Sequence, residues 1–316
     1  MTTPEGQYAF MAIAFISHPD CALHETESYH PDIPQRLSSI QDHLLSSGID
    51  MILHHYEAPM VTVAQLERVH SPPYITDIFT KLDDQDRVWL DSDTVMMPAS
   101  LNAAKRAAGA VVMGVDLVMA KQAGVAFCNV RPPGHHAEHD RAMGFCLFNN
   151  VAVGAAHALA EHGLNRIAII DFDAHFGNGT EQIFSDNVNV MICSCFQHPF
   201  YPGNGEPSYS GHIINVPLAA GTGGAELRVG VEKHWLPALE NFQPEFVFIS
   251  AGFDGHREDD MSDLLLVEDD YAWVTEKIKQ VADRHAEGRI VSALEGGYAL
   301  SALGRSVVAH LKALLG

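Results

Sequence analysis

The sequence predicts one α/β domain over residues 1–316, built on a mostly parallel central sheet of about eight strands flanked by helices. Three observations carry that expectation. Short apolar, β-branched runs alternate with longer stretches of helical period, the pattern of strand–helix–strand units. The strand candidates are apolar at nearly every position rather than at every second one, as in a sheet covered on both faces. No low-complexity linker, internal repeat or block of like charge divides the chain.

In chain order, YAFMAIAFIS (8–17) is the first strand candidate. The alanine-rich stretch 99–121 is long enough only for a helix, and VAFCNV (125–130) follows it as a strand. A second helix covers 147–163 and ends at Gly163, then RIAIIDFDAH (166–175), NVMICSCF (189–196) and GHIINVPL (211–218) read as strands. Helical stretches at 224–240 and 267–286 alternate with the strand candidates FVFISAGFD (246–254) and IVSALEGGY (290–298), and a last helix starts near 299.

Composition narrows the function. With 19 Lys+Arg against 40 Asp+Glu the formal charge is −21, which argues against a nucleic-acid backbone or an anionic membrane as main partner. A cationic substrate suits that charge better. The five cysteines are odd in number and form no C-x-x-C pair; four of them sit in apolar runs, so neither a disulfide framework nor a thiolate metal knuckle is expected. No Lys or Arg precedes Arg36, so the basic region of a signal peptide is missing, and no apolar run reaches the roughly 18 residues of a membrane span. The expectation is a cytoplasmic, reduced protein; a homo-oligomer is left open.

Several strand candidates end in a burst of polar residues, and in parallel sheets ligands bind at the carboxyl ends of the strands. On an extended strand Asp171, Asp173 and His175 would share a face, with about 7 Å between neighbours. Three such groups on a buried strand need partners, and a divalent metal is one. Asp254, at the end of another apolar strand, supplies a further ligand; Asp173, His175 and Asp254 together would leave a position open for water, the layout of a catalytic rather than a structural zinc site. His135 and His136 follow Pro132-Pro133-Gly134 in a stiff turn, and an imidazole beside a metal-activated water is a natural general base. Asp171 and Asn178 are available to hold the far ring nitrogens. In Glu295-Gly296-Gly297-Tyr298 the glycine pair lets Tyr298 project toward a developing oxyanion.

These motifs resemble the histone deacetylase family, the zinc-dependent deacylases that include acetylpolyamine amidohydrolases and bacterial deacetylase-like proteins. The resemblance covers most of the chain: HETESYHPDIPQRL (24–37), LERVHSPPYI (66–75), DSDT (91–94), RPPGHHAEHDRAMGFCLFNNVAVGA, IDFDAHFGNGTEQIF, FYPGNG, SAGFDGHREDD and LEGGYALSALGRSV occur in the family's order. Asn178 in GNGT, the FNN triplet and LEGGY are similar to its class II group.

The resemblance implies the arginase/deacetylase fold, with one zinc held by Asp173, His175 and Asp254. It implies His136 as general base, oriented by Asn178, and His135 as its electrostatic or acid partner, oriented by Asp171. Tyr298 would polarise the amide carbonyl. Gly144, Phe145, Tyr201 and Met261 fall where the family's acyl tunnel is lined, and a potassium site would use oxygens of Asp171, Asp173, His175, Ser194 and Cys195. The chain departs from the family at three positions: Phe176 and Phe196 stand where relatives carry histidines, and Asp260 replaces a proline. Phe176 and Phe196 are expected to touch, because losing both imidazoles together leaves no buried polar group unpaired.

The reaction expected is hydrolysis of an acyl-lysine in a peptide or protein, or of a related acylated amine, by metal-activated water without an acyl-enzyme. An acetylpolyamine amidohydrolase is the alternative; further alternatives are a ureohydrolase of the arginase fold with two manganese ions and a catalytically weak acyl-lysine binder.

Overall fold

The computed structural model describes residues 12–26, 29–82 and 85–316. A nine-stranded sheet runs through it, comprising β1 (Ile13–Ser17), β2 (Leu53–Glu57), β5 (Val125–Cys128), β6 (Ile167–Asp171), β7 (Val190–Gln197), β8 (Ser208–Ser210), β9 (Ile213–Leu218), β10 (Phe246–Ala251) and β11 (Ile290–Leu294). A separate two-stranded ribbon pairs β3 (Val88–Trp89) with β4 (Val95–Met96). The order across the main sheet is β2-β1-β5-β11-β10-β6-β7-β9-β8, and every pair is parallel except β8 with β9.

Apart from two four-residue helices at Asp20–Leu23 and Val63–Leu66, the α-helices among the described residues are α1 (Gln35–Ser47), α2 (Pro72–Thr80), α3 (Ser100–Met119), α4 (Asn150–His162), α5 (Asn178–Phe184), α6 (Gly224–Gly230), α7 (Leu236–Phe242), α8 (Glu268–His285) and α9 (Leu300–Leu315). The stretch expected as one helix over 224–240 is α6 and α7 joined by a π-helical turn at Val231–Trp235. Residues 8–11 of the expected first strand lie outside the described residues.

Both faces of the sheet are covered, which explains why its central strands carry almost no polar residue. Strand β5 shows this through its alternation: Ala126 lies under Gly114 of α3, whereas the ring of Phe127 packs against His310 of α9 on the opposite face. Phe15, Phe127, Phe148, Phe246 and Phe248 are all buried in the resulting core. Burial of such side chains stabilises by roughly 1.5–3 kcal/mol each. His310 is buried among Phe127, Phe172 and Phe253, and its two ring nitrogens are satisfied by Thr275 Oγ1 at 2.7 Å and Ser292 Oγ at 2.9 Å.

The five cysteines are buried and unpaired. Among the described residues no helix is long and apolar enough to cross a membrane.

Four central neighbours in the sheet, β5, β11, β10 and β6, each release a polar loop from the carboxyl end. That adjacency gathers segments that are far apart in sequence.

Candidate active site

The polar strand ends do not continue as strands. Strand β6 stops at Asp171, where extension to 175 was expected, and the separation of about 7 Å between successive polar groups does not hold. The carboxylates end it: Asp171 Oδ1 accepts the Asp173 amide at 3.0 Å, and Asp173 Oδ1 accepts the His175 amide at 2.9 Å. Such local side-chain bonds give the backbone an alternative to the ladder and fold 171–175 into a turn.

The turn brings Asp173 and His175 together. His175 Nδ1 lies 3.1 Å from Asp173 Oδ1 and 3.0 Å from Asp254 Oδ2, and the three ligand-type atoms fall within 4.8 Å of one another. Asp254 is held by the Ala174 amide, which donates to its Oδ1 at 2.9 Å, and Asp173 by the Gly296 amide, which donates to its Oδ2 at 2.8 Å. Gly252 and Gly296 press so closely on this group that a Cβ on the first would collide with the Asp173 carboxylate and one on the second with that of Asp254.

Two carboxylates and an imidazole, all buried, form a donor set that fits a divalent zinc-type ion with coordination left for a water or substrate. Burial acts against charge on His175, but Asp254 and Asp173 outweigh it and hold the imidazole well above its ordinary range. Burial, with the neighbouring Asp173 charge, pushes Asp254 up to about 6.

The histidine pair sits beside this group, with ring centroids 4.0 Å apart. His135 Nδ1 donates to Asp171 Oδ2 at 3.0 Å. His136 Nδ1 donates to Asn178 Oδ1 at 2.8 Å, while Asn178 Nδ2 donates to Glu138 Oε1 at 2.7 Å, which fixes the amide's orientation. His136 Nε2 is thereby left as the acceptor of a neutral ring.

The two rings are driven apart in charge. Burial opposes a proton on both, but Asp173 and Asp171 carry His135 up to about 10. Burial and the neighbouring His135 and His175 hold His136 well below its ordinary value. An environment that separates two titrating groups in this way marks a base and its charged partner.

Above them is a mostly apolar cavity of about 230 Å³ lined by His135, His136, His175, Gly144, Phe145, Phe200, Tyr201, Met261 and Tyr298, with Asp93 and Asp260 also on its wall. Gly144, Phe145, Tyr201 and Met261, expected from the sequence along a tunnel, all lie on the wall of this cavity. Gly144 and Phe145 both have left-handed backbone, at φ 56° and 69°, and Phe145 is a bulky residue in that conformation. Its ring packs on Tyr298, with centroids 6.0 Å apart.

Tyr298 is anchored from below. Its amide donates to Asp259 Oδ2 at 2.6 Å, and the guanidinium of Arg36 lies 4.7 Å from its ring centroid.

Ser194 lies opposite Asp171 in the β6–β7 register, with Cys195 next to it, and Ser194 Oγ is buried with no hydrogen-bond partner among the described residues. A cation ligated by oxygens would satisfy that atom. Phe176 and Phe196 do touch, at 4.8 Å between centroids and 54° between planes.

Four contributors stand in recognised motifs to which the sequence assigned them no role: Phe200 of FYPGNG, which stacks on His175 at 5.4 Å and 28°; Asp93 of DSDT, on the cavity wall; Arg36 of HETESYHPDIPQRL, which underlies Tyr298; and Glu295 of LEGGY, described below.

The histone deacetylase domain matches residues 30–314, and the chain belongs to that family. It is similar to the histone deacetylase-like amidohydrolase of Pseudomonas aeruginosa, with 36% identity across 89% of this chain and 74% of that protein. It is also similar to the type-2 histone deacetylase 2 of Dictyostelium discoideum, with 34% identity across 99% of this chain, which spans only 21% of that longer protein. Among solved structures, the crystal structure of the HDA15 HD domain superposes with a TM-score of 0.91 at 32% identity, covering 96% of this chain and 90% of that one.

Proposed function

We propose that the chain is a zinc-dependent amidohydrolase that removes acetyl or related acyl groups from lysine side chains or similar acylated amines. One observation carries the reading: the convergent Asp173, His175 and Asp254 atoms lie at an apolar cavity beside two imidazoles whose surroundings separate their charge states.

Asp173, His175 and Asp254 would hold the zinc, which when bound supplies Lewis acidity toward a carbonyl and acidifies water. The cavity, walled by Phe145, Tyr201 and Met261, suits an acyl-amine chain and keeps bulk water from the reacting carbonyl. His136 Nε2 accepts the proton of the water that attacks the carbonyl carbon. The Tyr298 hydroxyl donates to the carbonyl oxygen as it gains negative charge. A protonated imidazole returns a proton to the departing nitrogen, the C–N bond breaks, and carboxylate and free amine leave. His135, held cationic between Asp171 and Asp173, stabilises the negative charge nearby.

Asp171, Ser194 and Cys195, with Asp173 and His175, are proposed to hold a potassium ion, a reading supported by the unpartnered Ser194 oxygen. The unpaired thiols suit a reducing, cytoplasmic setting.

The test is a panel of acylated lysine peptides and acylated polyamines with metal analysis on the same pure protein. The expected result is about one zinc per chain and release of free amine from acyl-lysine. Two manganese ions per chain with urea release from a guanidinium substrate, or acyl-lysine binding without turnover, would replace this reading.

A further inference from the structure

The rings of His135 and His136 are held by Asp171 and Asn178, but the backbone that carries them has its own anchor. Pro132 and Pro133 offer no N–H, so the next amide donors after Arg131 are those of Gly134 and His135. Both go to one oxygen: Glu295 Oε2 accepts Gly134 N–H at 2.6 Å and His135 N–H at 3.1 Å. The other oxygen, Oε1, accepts from Ser250 Oγ at 3.1 Å, and Ser250 lies opposite Asp171 in the β10–β6 register.

Glu295 is itself held at both its backbone groups. Its side chain is buried, its N–H donates to Ala251 O at 2.9 Å, and its carbonyl accepts from Arg36 at 2.5 Å. The next amide, Gly296 N–H, holds Asp173. One residue thus ties the histidine loop to the strand end that also holds a metal-type carboxylate.

We propose that Glu295 is a positioning residue that sets the distance of the His135–His136 backbone from the Asp173–His175–Asp254 group. This rests on the acid–base reading of the two histidines. Glu295 acts by geometry: the two amides and Ser250 need acceptors at a fixed reach, and a loop displaced by about 1 Å costs up to roughly 10²-fold in rate.

The experiment compares Glu295→Gln, Glu295→Asp and Glu295→Leu in the zinc-loaded protein. It reads kcat and KM on an acetyl-lysine peptide, bound zinc, and hydrogen exchange of the Gly134 and His135 amides. Glu295→Gln keeps an acceptor for the amides and a polar atom for Ser250, and is expected to rescue kcat to within about threefold of wild type. Glu295→Asp is one methylene too short to reach both partners, and Glu295→Leu offers no acceptor. Both should lower kcat by about tenfold or more with KM within about threefold and zinc retained, while the two amides exchange at least about tenfold faster.

Glu295→Gln as impaired as Glu295→Leu assigns the effect to charge and overturns the proposal. Unchanged amide protection in Glu295→Asp and Glu295→Leu overturns it too, as does loss of zinc in step with kcat. If Glu295→Leu does not fold, the Gln and Asp pair decides. A wild-type protein that turns over nothing removes the acid–base reading, while amide protection still decides the tether.

Discussion

Replacing Phe196 by histidine is a sharp perturbation because it puts an imidazole into one half of a packed aromatic pair. Phe196 is 0% exposed and Phe176 4%, their rings are 4.8 Å apart, and Gly205, at φ 102°, lies against both. A Cβ on Gly205 would come within 2.8 Å of the Phe196 ring and 2.9 Å of the Phe176 ring, so the 200–205 loop rests directly on the pair. That loop carries Phe200 and Tyr201, two walls of the cavity.

Phe196→His forfeits the aromatic pair, worth about 0.5–1.5 kcal/mol beyond burial. It also buries an imidazole N–H opposite a phenyl ring, at a cost of about 1–3 kcal/mol. The single variant should therefore lose about 2–4 kcal/mol, and Phe176→His a similar amount. In the double variant the two imidazoles can bond each other, so the loss should fall short of the sum by about 1–3 kcal/mol. Urea unfolding of the four proteins measures the coupling, with a thermal melt as a check at about 2 °C per kcal/mol for a chain of this size. Single losses below about 0.5 kcal/mol, or a double variant that is simply additive, would refute the idea that these two rings form one packed unit.

Further outcomes follow from the same geometry. Asp173→Ala and Asp254→Ala should each abolish zinc binding and turnover together, read by metal analysis and peptide assay; zinc retained in both would contradict the ligand set. Tyr298→Phe should lower kcat by roughly 10²-fold while zinc stays bound, and full activity would remove its oxyanion role. Burial holds His24 at about 4, His70 at about 4 and His310 at about 3, all below the ordinary 6.5. Between pH 6.5 and 4 the unfolded chain takes up protons these rings refuse, so stability is present above pH 6.5 and falls as pH drops, by up to about 1.4 kcal/mol per pH unit for each ring. His310→Gln should flatten that acid limb in urea titrations, and a curve parallel to wild type would exclude His310 as a contributor. For substrate, Met261 on the cavity wall should give an acetyl-lysine peptide a higher kcat/KM than N-acetylspermidine; a polyamine advantage of about tenfold would assign the mouth to Asp260 and Asp93 instead.

The central strands were legible because burial on both faces leaves a continuous apolar run, as in IAII of β6 and FVFIS of β10. Their ends were not. Asp171 and Asp173 take backbone amides and turn the chain four residues early, a competition that residue alternation does not reveal. The edges were missed for a different reason: β2 reads LHHYE, polar and exposed at three of its five positions, and β8 is only three residues long. Asp173, His175 and Asp254 stood out as polar groups on apolar strands, whereas Glu295, although inside LEGGY, makes its contacts with residues 160 and 161 positions away, which no local pattern reveals.

The proposed hydrolysis depends on a metal held by Asp173, His175 and Asp254. Its most direct test is release of free amine from an acetyl-lysine peptide by the pure wild-type protein, followed through chelation and metal return. Turnover should vanish with the metal and recover fully with about one equivalent of zinc per chain. Turnover that survives complete metal removal, or a zinc-loaded protein that releases no amine from any acyl-lysine or acylated polyamine, would contradict it.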